Sequence, residues 1–300
     1  MDIIHLNSID TYNKLYGLPT KHPLVTVVDL TKSTGSVNHV RMNYGVYALY
    51  LKNGINCTLK YGRQYYDYQE GTIVSFAPGQ IVEVEMKDEE IRPEVYGILF
   101  HPDLIYGTNL GEKIKQYTFF DYAQNEALHL SAQERSTIID CLKKIDHELD
   151  YPVDKHSRDI LTTHIELILD YCMRFYDRQF CTRKKANSDV LTKFENLLNG
   201  YFSNKDNIDG LPSVKYFANE ICLSTGYFGD LIKKETGKTA QEYIQHKIIS
   251  LSKTELINGK QNISEIAYSL GFQYPQHFIR LFKKIEGCTP GEFRERFLVG

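Results

Sequence analysis

The sequence predicts an α+β chain: an N-terminal antiparallel β barrel with two helices after it, then an all-α domain of two helix-turn-helix units joined by a long helix. Three observations carry that prediction. Short β-rich runs with Asn-Gly and Pro-Gly turns fill residues 44–101, two helical periodicities span 131–180, and one pattern of apolar, Lys-Lys and capping residues occurs twice beyond residue 189, 50 positions apart. Runs of the first kind form barrels or sandwiches, and a repeated pattern is one supersecondary unit used twice. At 300 residues the chain is long enough for two domains with separate cores. This reading sets a first domain at 1–182, with its barrel at about 20–105 and its helices at about 131–180, and a linker at 183–188. The second domain is 189–300, with units at 213–237 and 262–287.

Residues 1–40 are punctuated by Pro19, Pro23 and Gly35 and offer one strand, Leu24 to Leu30. From Tyr44 the strands read YGVYALYL, then INCTLKY after Asn53-Gly54, TIVSF after Gly71, IVEVEM after Pro78-Gly79, and VYGILF. Ser131 and Glu134 make a capping box for a helix to about Leu149, with Ile138, Ile139, Leu142 and Ile145 on one side, and Pro152 breaks it. A longer helix follows from about Lys155 to Phe180. In it Leu161, Ile165, Ile168, Cys172 and Phe175 follow the 4,3 spacing of a helix-helix seam, packed either on the chain's own barrel or on a second copy in a homodimer through 155–180. The polar stretch CTRKKANSD, 181–189, marks the linker, and Asp189 to Phe202 is the first helix of the second domain.

The second unit is the clearer copy. Asn262 and Glu265 form a capping box, Ile263, Ile266, Ala267 and Leu270 line one face of the helix it opens, and Gly271 takes the left-handed position past its end. Phe278, Leu281, Phe282 and Ile285 are the buried stripe of the next helix, which turns Gln276, Arg280 and Lys283 outward. Gly287 ends that helix, and Thr289, Pro290 and Glu292 start a last one. Fifty positions earlier, Phe228, Leu231, Ile232, Lys233, Lys234, Gly237, Thr239, Glu242 and Tyr243 repeat the series Phe278 to Phe293. Upstream, Val214, Phe217, Ala218 and Ile221 repeat at an offset of 49, so the second turn is one residue longer. Between the copies, Thr239 to Asn258 is a helix capped by Thr239 and Glu242 and stopped by Gly259. At about 1.5 Å per residue it is roughly 30 Å long, close to the roughly 34 Å between successive major grooves on one face of B-DNA.

The formal net charge of -3 is not that of a general polyanion binder, although basic residues outnumber acidic ones from Arg183 onward. Six cysteines (57, 141, 172, 181, 222, 288) show no CxxC or Cys/His ligand spacing, and Cys141, Cys172 and Cys222 fall in helical patterns, which reads as reduced, buried thiols. The N-terminal MDIIHLNSIDTY has no basic n-region, and no apolar run reaches the ~18–20 residues of a membrane span, so a soluble, cytoplasmic chain with no membrane partner is expected.

Ile266-Ala267, Gly271-Phe272, Phe278, Arg280, Phe282-Lys283-Lys284, Gly287, Thr289-Pro290 and Phe293-Arg294, with their copies in the first unit, resemble the DNA-binding domain of AraC/XylS-type transcription regulators over residues 188–297. EGTIVSFAPGQ, 70–80, resembles the Gly-strand-Pro-Gly turn of the cupin-like ligand domains of that family, over roughly 20–105. The resemblance implies a bacterial regulator whose cupin-like domain senses a small-molecule effector and dimerises, with double-stranded DNA and RNA polymerase as partners. The base-contacting positions of the family match Gln276 and Arg280.

Recognition helices enter the major groove with their N-terminal halves, where Gln pairs with adenine and Arg with guanine. In the second unit the outward candidates are Gln273, Tyr274, Gln276, His277 and Arg280, against the plainer reading of a solvated polar face. The first unit departs from the family's larger side chains, presenting Gly226 and Asp230 with Gly229 beside them. That leaves Thr225, Tyr227 and, through a cytosine amino group, Asp230 as its readers, and a unit that contributes mostly phosphate contacts. Candidate phosphate contacts are Lys233, Lys234, Lys283, Lys284 and Arg294, followed by Arg296, with the helix N-termini at Ser213 and Asn262.

No enzyme, cofactor or metal is expected: His5, His22, His39, His101 and His129 never occur as H-x-H, and no Gly-rich phosphate loop or nucleophile elbow is present. Tyr44, Tyr47, Tyr50, Tyr61, Tyr65, Tyr66 and Tyr68 are either core filling or an aromatic effector pocket, with Tyr47, Tyr61 and Tyr66 as its candidates. The alternative to a regulator is a cupin-fold binding protein or enzyme with a helical protein-interaction tail, which the missing metal ligands and the Gln276/Arg280/Lys283 stripe disfavour. A narrower one is a regulator without ligand, switched by a partner protein.

Overall fold

The computed structural model describes residues 3–35, 40–52, 71–84, 94–123, 126–203, 210–258 and 261–298. They form two compact units, 1–183 and 184–300. The first is mixed α and β; the second is helical.

In the first unit the order is β1 (Ile3–Leu6), α1 (Ile9–Tyr16), β2 (Val25–Asp29), β3 (Val40–Tyr44), β4 (Tyr47–Lys52), β5 (Thr72–Phe76), β6 (Ile81–Val84), β7 (Val95–Phe100), α2 (Pro102–Ile105), α3 (Asn109–Lys113), β8 (Leu128–His129), α4 (Ala132–Glu148) and α5 (Ser157–Thr182). The described strands make two sheets, β1-β3-β6 and β2-β7-β4-β5-β8, that are not closed into a barrel. All pairings are antiparallel except β1 with β3. The run YGVYALYL, expected as one strand, is split: β3 ends at Tyr44 in one sheet and β4 begins at Tyr47 in the other. Gly45 makes the crossing possible. Its N–H donates to the Leu6 carbonyl at 3.0 Å, and a Cβ there would sit 3.0 Å from that oxygen, closer than a side chain packs comfortably.

Both sheets and α1 feed one core, with Leu6, Ile9, Tyr12, Met42, Tyr44, Ala48, Tyr50, Val74, Phe76, Val82 and Leu99 among its members. The expected strand INCTLKY and its Asn53-Gly54 turn, together with Tyr61, Tyr65, Tyr66, Tyr68, Cys57 and His39, lie outside the described residues. Ser131 and Glu134 do form the capping box of α4, the carboxylate accepting from the Ser131 N–H at 2.9 Å. The seam residues Leu161, Ile165, Ile168, Cys172 and Phe175 are all buried within this unit, where α5 packs on α4 and β8. Of the two readings of that stripe the intramolecular one holds, which removes it from any dimer interface.

The second unit begins with α6 (Lys184–Ser203). Residues 184–188, expected as a linker, are its first turns; a stretch rich in Lys, Ala and Asn is polar enough to read as a linker, but nothing in it breaks a helix. Then come α7 (Val214–Glu220), α8 (Thr225–Thr236), α9 (Ala240–Asn258), α10 (Ile263–Ser269), α11 (Pro275–Glu286) and α12 (Pro290–Leu298). Two aromatic clusters hold these helices. Phe194 of α6 meets Phe217 of α7 and Phe228 of α8 edge-on, both at 5.1 Å between ring centroids. Phe278 and Phe282 of α11 continue from Phe272 to Phe293 of α12 in steps of 5.4–5.8 Å. Such edge-to-face pairs add roughly 0.5–1.5 kcal/mol each beyond burial.

Candidate nucleic-acid interface

The internal repeat is a repeat of hydrogen bonds. After α7 the Cys222 N–H donates to the Asn219 carbonyl (3.0 Å) and the Leu223 N–H to that of Ala218 (2.9 Å). After α10 the Gly271 N–H donates to the Tyr268 carbonyl (3.0 Å) and the Phe272 N–H to that of Ala267 (3.0 Å). Each pair is a Schellman closure, which requires a left-handed residue just past the helix. Gly271 supplies it at φ 89° and Cys222 at φ 61°, the one non-glycine residue at positive φ among those described. Cys222 is therefore exposed in a turn and not buried in a helix as expected, and Cys181 is exposed as well.

These turns set α8 and α11 on the buried stripes Phe228, Leu231, Ile232 and Phe278, Phe282, with Leu281 and Ile285 half-buried beside the second. Gln273, Tyr274, Gln276, His277, Arg280, Lys283 and Lys284 are consequently all exposed around α11. In the first unit Thr225, Lys233 and Lys234 are exposed, Asp230 is half-buried, and Gly226 and Gly229 leave the middle of the face without side chains. Tyr227, expected as a reader, is buried at 5% exposure. It lies beside Phe228 at the edge of the apolar stripe, and a ring at that angle gains more from the core than from water.

Two expected phosphate contacts are engaged within the chain. Arg294 faces its own chain: its Nε donates to the Leu256 carbonyl at 3.2 Å and an Nη to that of Gln261 at 2.7 Å, tying α12 to the C-terminal end of α9. Carbonyls at a helix C-terminus carry partial negative charge and attract a guanidinium. At Asn262 the N–H is held by the Glu265 carboxylate (2.7 Å), whose own N–H the Asn262 Oδ1 accepts (2.9 Å). A phosphate there would meet a carboxylate already in place. At Ser213 the Oγ accepts from the Tyr216 N–H at 3.1 Å and the first turn holds no acidic residue.

The spacer between the units is α9, 19 residues long. The Glu242 carboxylate accepts the Thr239 N–H at 2.9 Å, and the Glu292 carboxylate accepts that of Thr289 at 2.7 Å. Those backbone bonds, then the Thr hydroxyls, hold both carboxyls below the usual carboxylate range. Lys253 of α9 pairs with Glu286 of α11 at 2.6 Å, tying α11 to the helix between the units.

Elsewhere, Tyr47 is half-buried and is not part of the core cluster of Tyr44 and Tyr50. It lies on the opposite side of β4 from Tyr50 and packs on Phe100 and Phe120 at 5.0 and 5.1 Å. The tyrosines of that core are Tyr12, Tyr16, Tyr44 and Tyr50, the first two on α1 and outside the expected strands. The Tyr44 and Tyr50 hydroxyls are 3.3 Å apart, and burial pushes the Tyr44 phenol up to about 12. Among the described residues no group of three or more His, Cys, Asp or Glu is placed to hold a metal ion, and no helix is long and apolar enough to cross a membrane.

A family model for a helix-turn-helix domain matches residues 217–296, which span α8 and α11. YtdP, an uncharacterised HTH-type transcriptional regulator of Bacillus subtilis (strain 168), is 33% identical over 79 residues, 26% of this chain and 10% of its own length. The arabinose operon regulatory protein of Salmonella typhimurium is 30% identical over 77 residues, 26% of this chain and 27% of its own. The chain thus spans about a tenth and about a quarter of these two relatives. The Tn10 TetD protein of Escherichia coli is 32% identical over 147 residues, which is 49% of this chain and 94% of TetD. With 94% of a 32%-identical relative spanned, and with a helix-turn-helix family model matching residues 217–296, the chain belongs to the AraC-type family of helix-turn-helix transcription regulators.

Proposed function

We propose that this chain regulates transcription by binding double-stranded DNA through both helix-turn-helix units, with α11 selecting bases and α8 chiefly holding the backbone. The observation that carries this is the one-sidedness of α11: Gln276, Arg280, Lys283 and Lys284 exposed opposite a buried Phe278/Phe282 stripe, on a turn built bond for bond like that after α7. Gln276 and Arg280 are the base contacts; Gln273, Tyr274 and His277 flank them. Thr225 and Asp230 are what α8 offers to bases, and Lys233, Lys234, Lys283, Lys284 and the α7 start at Ser213 engage phosphates. Selection of bound duplexes from a random pool tests this. A bidentate Arg–guanine contact discriminates by about 1–3 kcal/mol, so Arg280→Ala should relax one position in the half read by the second unit, while Gly226→Ala leaves the consensus unchanged. The sharpest preferences falling in the half covered by residues 213–237, with Arg280→Ala silent, would overturn the division of labour.

In the same reading the chain works in the cytoplasm with RNA polymerase as a partner, and residues 1–183 are a cupin-like sensing and dimerisation unit. Any homodimer must form through a surface other than the Leu161–Phe175 stripe.

A further inference from the structure

The start of α11 breaks a local rule that its copy obeys. At the N-cap of α8, Ser224 accepts the Tyr227 N–H with its Oγ at 3.2 Å. The equivalent residue 50 positions on is Tyr274, which caps α11 with no side-chain bond and has Pro275 at the first helical position. Ser or Asp at such a position stabilises a helix, and an aromatic ring forgoes that. The Tyr274 ring gains little in exchange: it is 57% exposed. Among the described residues its ring neighbour is the exposed His277, edge-on at 5.5 Å. A local preference given up without a packing gain marks a functional position.

We infer that Tyr274 and His277 together form an apolar contact for a thymine methyl group, so that the second unit reads a T·A pair beside the base read by Arg280. This rests on α11 being the base-selecting helix, as proposed above. At about 100° per residue His277 falls on the Arg280 and Lys284 side of α11. It lies three residues, roughly 4.5 Å along the axis, before Arg280, against about 3.4 Å per base pair. Two rings in edge contact offer a broad apolar surface at the end of the helix that enters the groove. The thymine C5 methyl is the apolar group on the floor of the major groove, and apolar side chains recognise it there.

The test uses the full-length protein and the duplex it selects, with each thymine of the second-unit half replaced singly by deoxyuridine, which lacks only the methyl. One replacement, within two base pairs of the position that Arg280→Ala relaxes, should weaken binding about fourfold, the loss expected for one buried methyl group. Tyr274→Ser should restore a cap, raise the unfolding midpoint, keep the Arg280-dependent preference and abolish the deoxyuridine effect; Tyr274→Phe should keep it. Three outcomes overturn the inference: no deoxyuridine position weakening binding, an undiminished effect in Tyr274→Ser, or Tyr274→Phe losing affinity like Tyr274→Ser, which would assign the hydroxyl to a phosphate. If Arg280→Ala still relaxes its position in those cases, the inference alone fails. If no duplex is selected at all, the base-reading function fails with it.

Discussion

At Cys222 the backbone has φ 61°, where the second unit has Gly271 at φ 89°. A left-handed conformation costs a side-chain-bearing residue about 1–2 kcal/mol, while glycine costs roughly 0.5–1 kcal/mol in unfolded-state entropy. Relief should win narrowly: Cys222→Gly should stabilise the full-length protein by about 0.5–1 kcal/mol in denaturant unfolding, and Gly271→Ala should destabilise it. A lower midpoint for Cys222→Gly would show that the thiol makes a compensating contact. Arg294 invites the opposite comparison. Charge-assisted bonds to the Leu256 and Gln261 carbonyls are worth about 1.5–3 kcal/mol each at most. Arg294→Ala should therefore lower stability and leave the salt dependence of DNA binding unchanged, whereas Lys283→Ala should lower the log–log salt slope by about one and leave stability unchanged. A reversed pattern would put Arg294 on the phosphates after all.

Among the elements, helix starts were the most legible. All four capping boxes read from residue spacing, at Ser131/Glu134, Thr239/Glu242, Asn262/Glu265 and Thr289/Glu292, are made. They predict a pH response with a definite sign. Glu242 and Glu292 titrate lower in the folded chain than in the unfolded one because they accept backbone N–H groups. Their contribution is present above the unfolded carboxylate range, near 4.3, and is lost as pH falls through the folded values. The midpoint of the second unit should thus drop on acidification below about pH 4, and less steeply in Glu292→Gln; equal slopes would mean the box adds nothing to folding. Elements without such punctuation went unseen. β1 has four residues and β8 two, too few for a periodicity to show. α1 carries signals of its own, a Ser8 cap and Gly17 at φ 64°, but eight residues just ahead of Pro19 and Pro23 read with them as loop.

For the molecule as a whole, the stripe on α5 shows what a periodicity leaves open. Leu161 and Ile168 are at most 1% exposed within the unit formed by their own chain. Leu161→Glu/Ile168→Glu should therefore bury unpaired charge in the core and unfold the first unit, in place of giving a folded monomer. Ile160 and Leu167, each 39% exposed on the same helix, should accept Glu with little change in the unfolding midpoint. A folded double mutant with native circular dichroism would return the stripe to an interface.

The sequence by itself determined the two-part α+β organisation, the double helix-turn-helix with its one-residue difference in turn length, and the α11 face of Gln276 and Arg280, because each rests on short-range spacing: capping boxes, the 3.6-residue period and an internal repeat. Only the tertiary structure decided that residues 44–51 cross between two sheets at Gly45, that α5 is buried by its own chain, that Arg294 braces α9, and that Tyr227 packs where a reader was expected. Those outcomes depend on which surfaces meet. A periodicity shows that a face is apolar, but what covers that face is chosen by the rest of the chain.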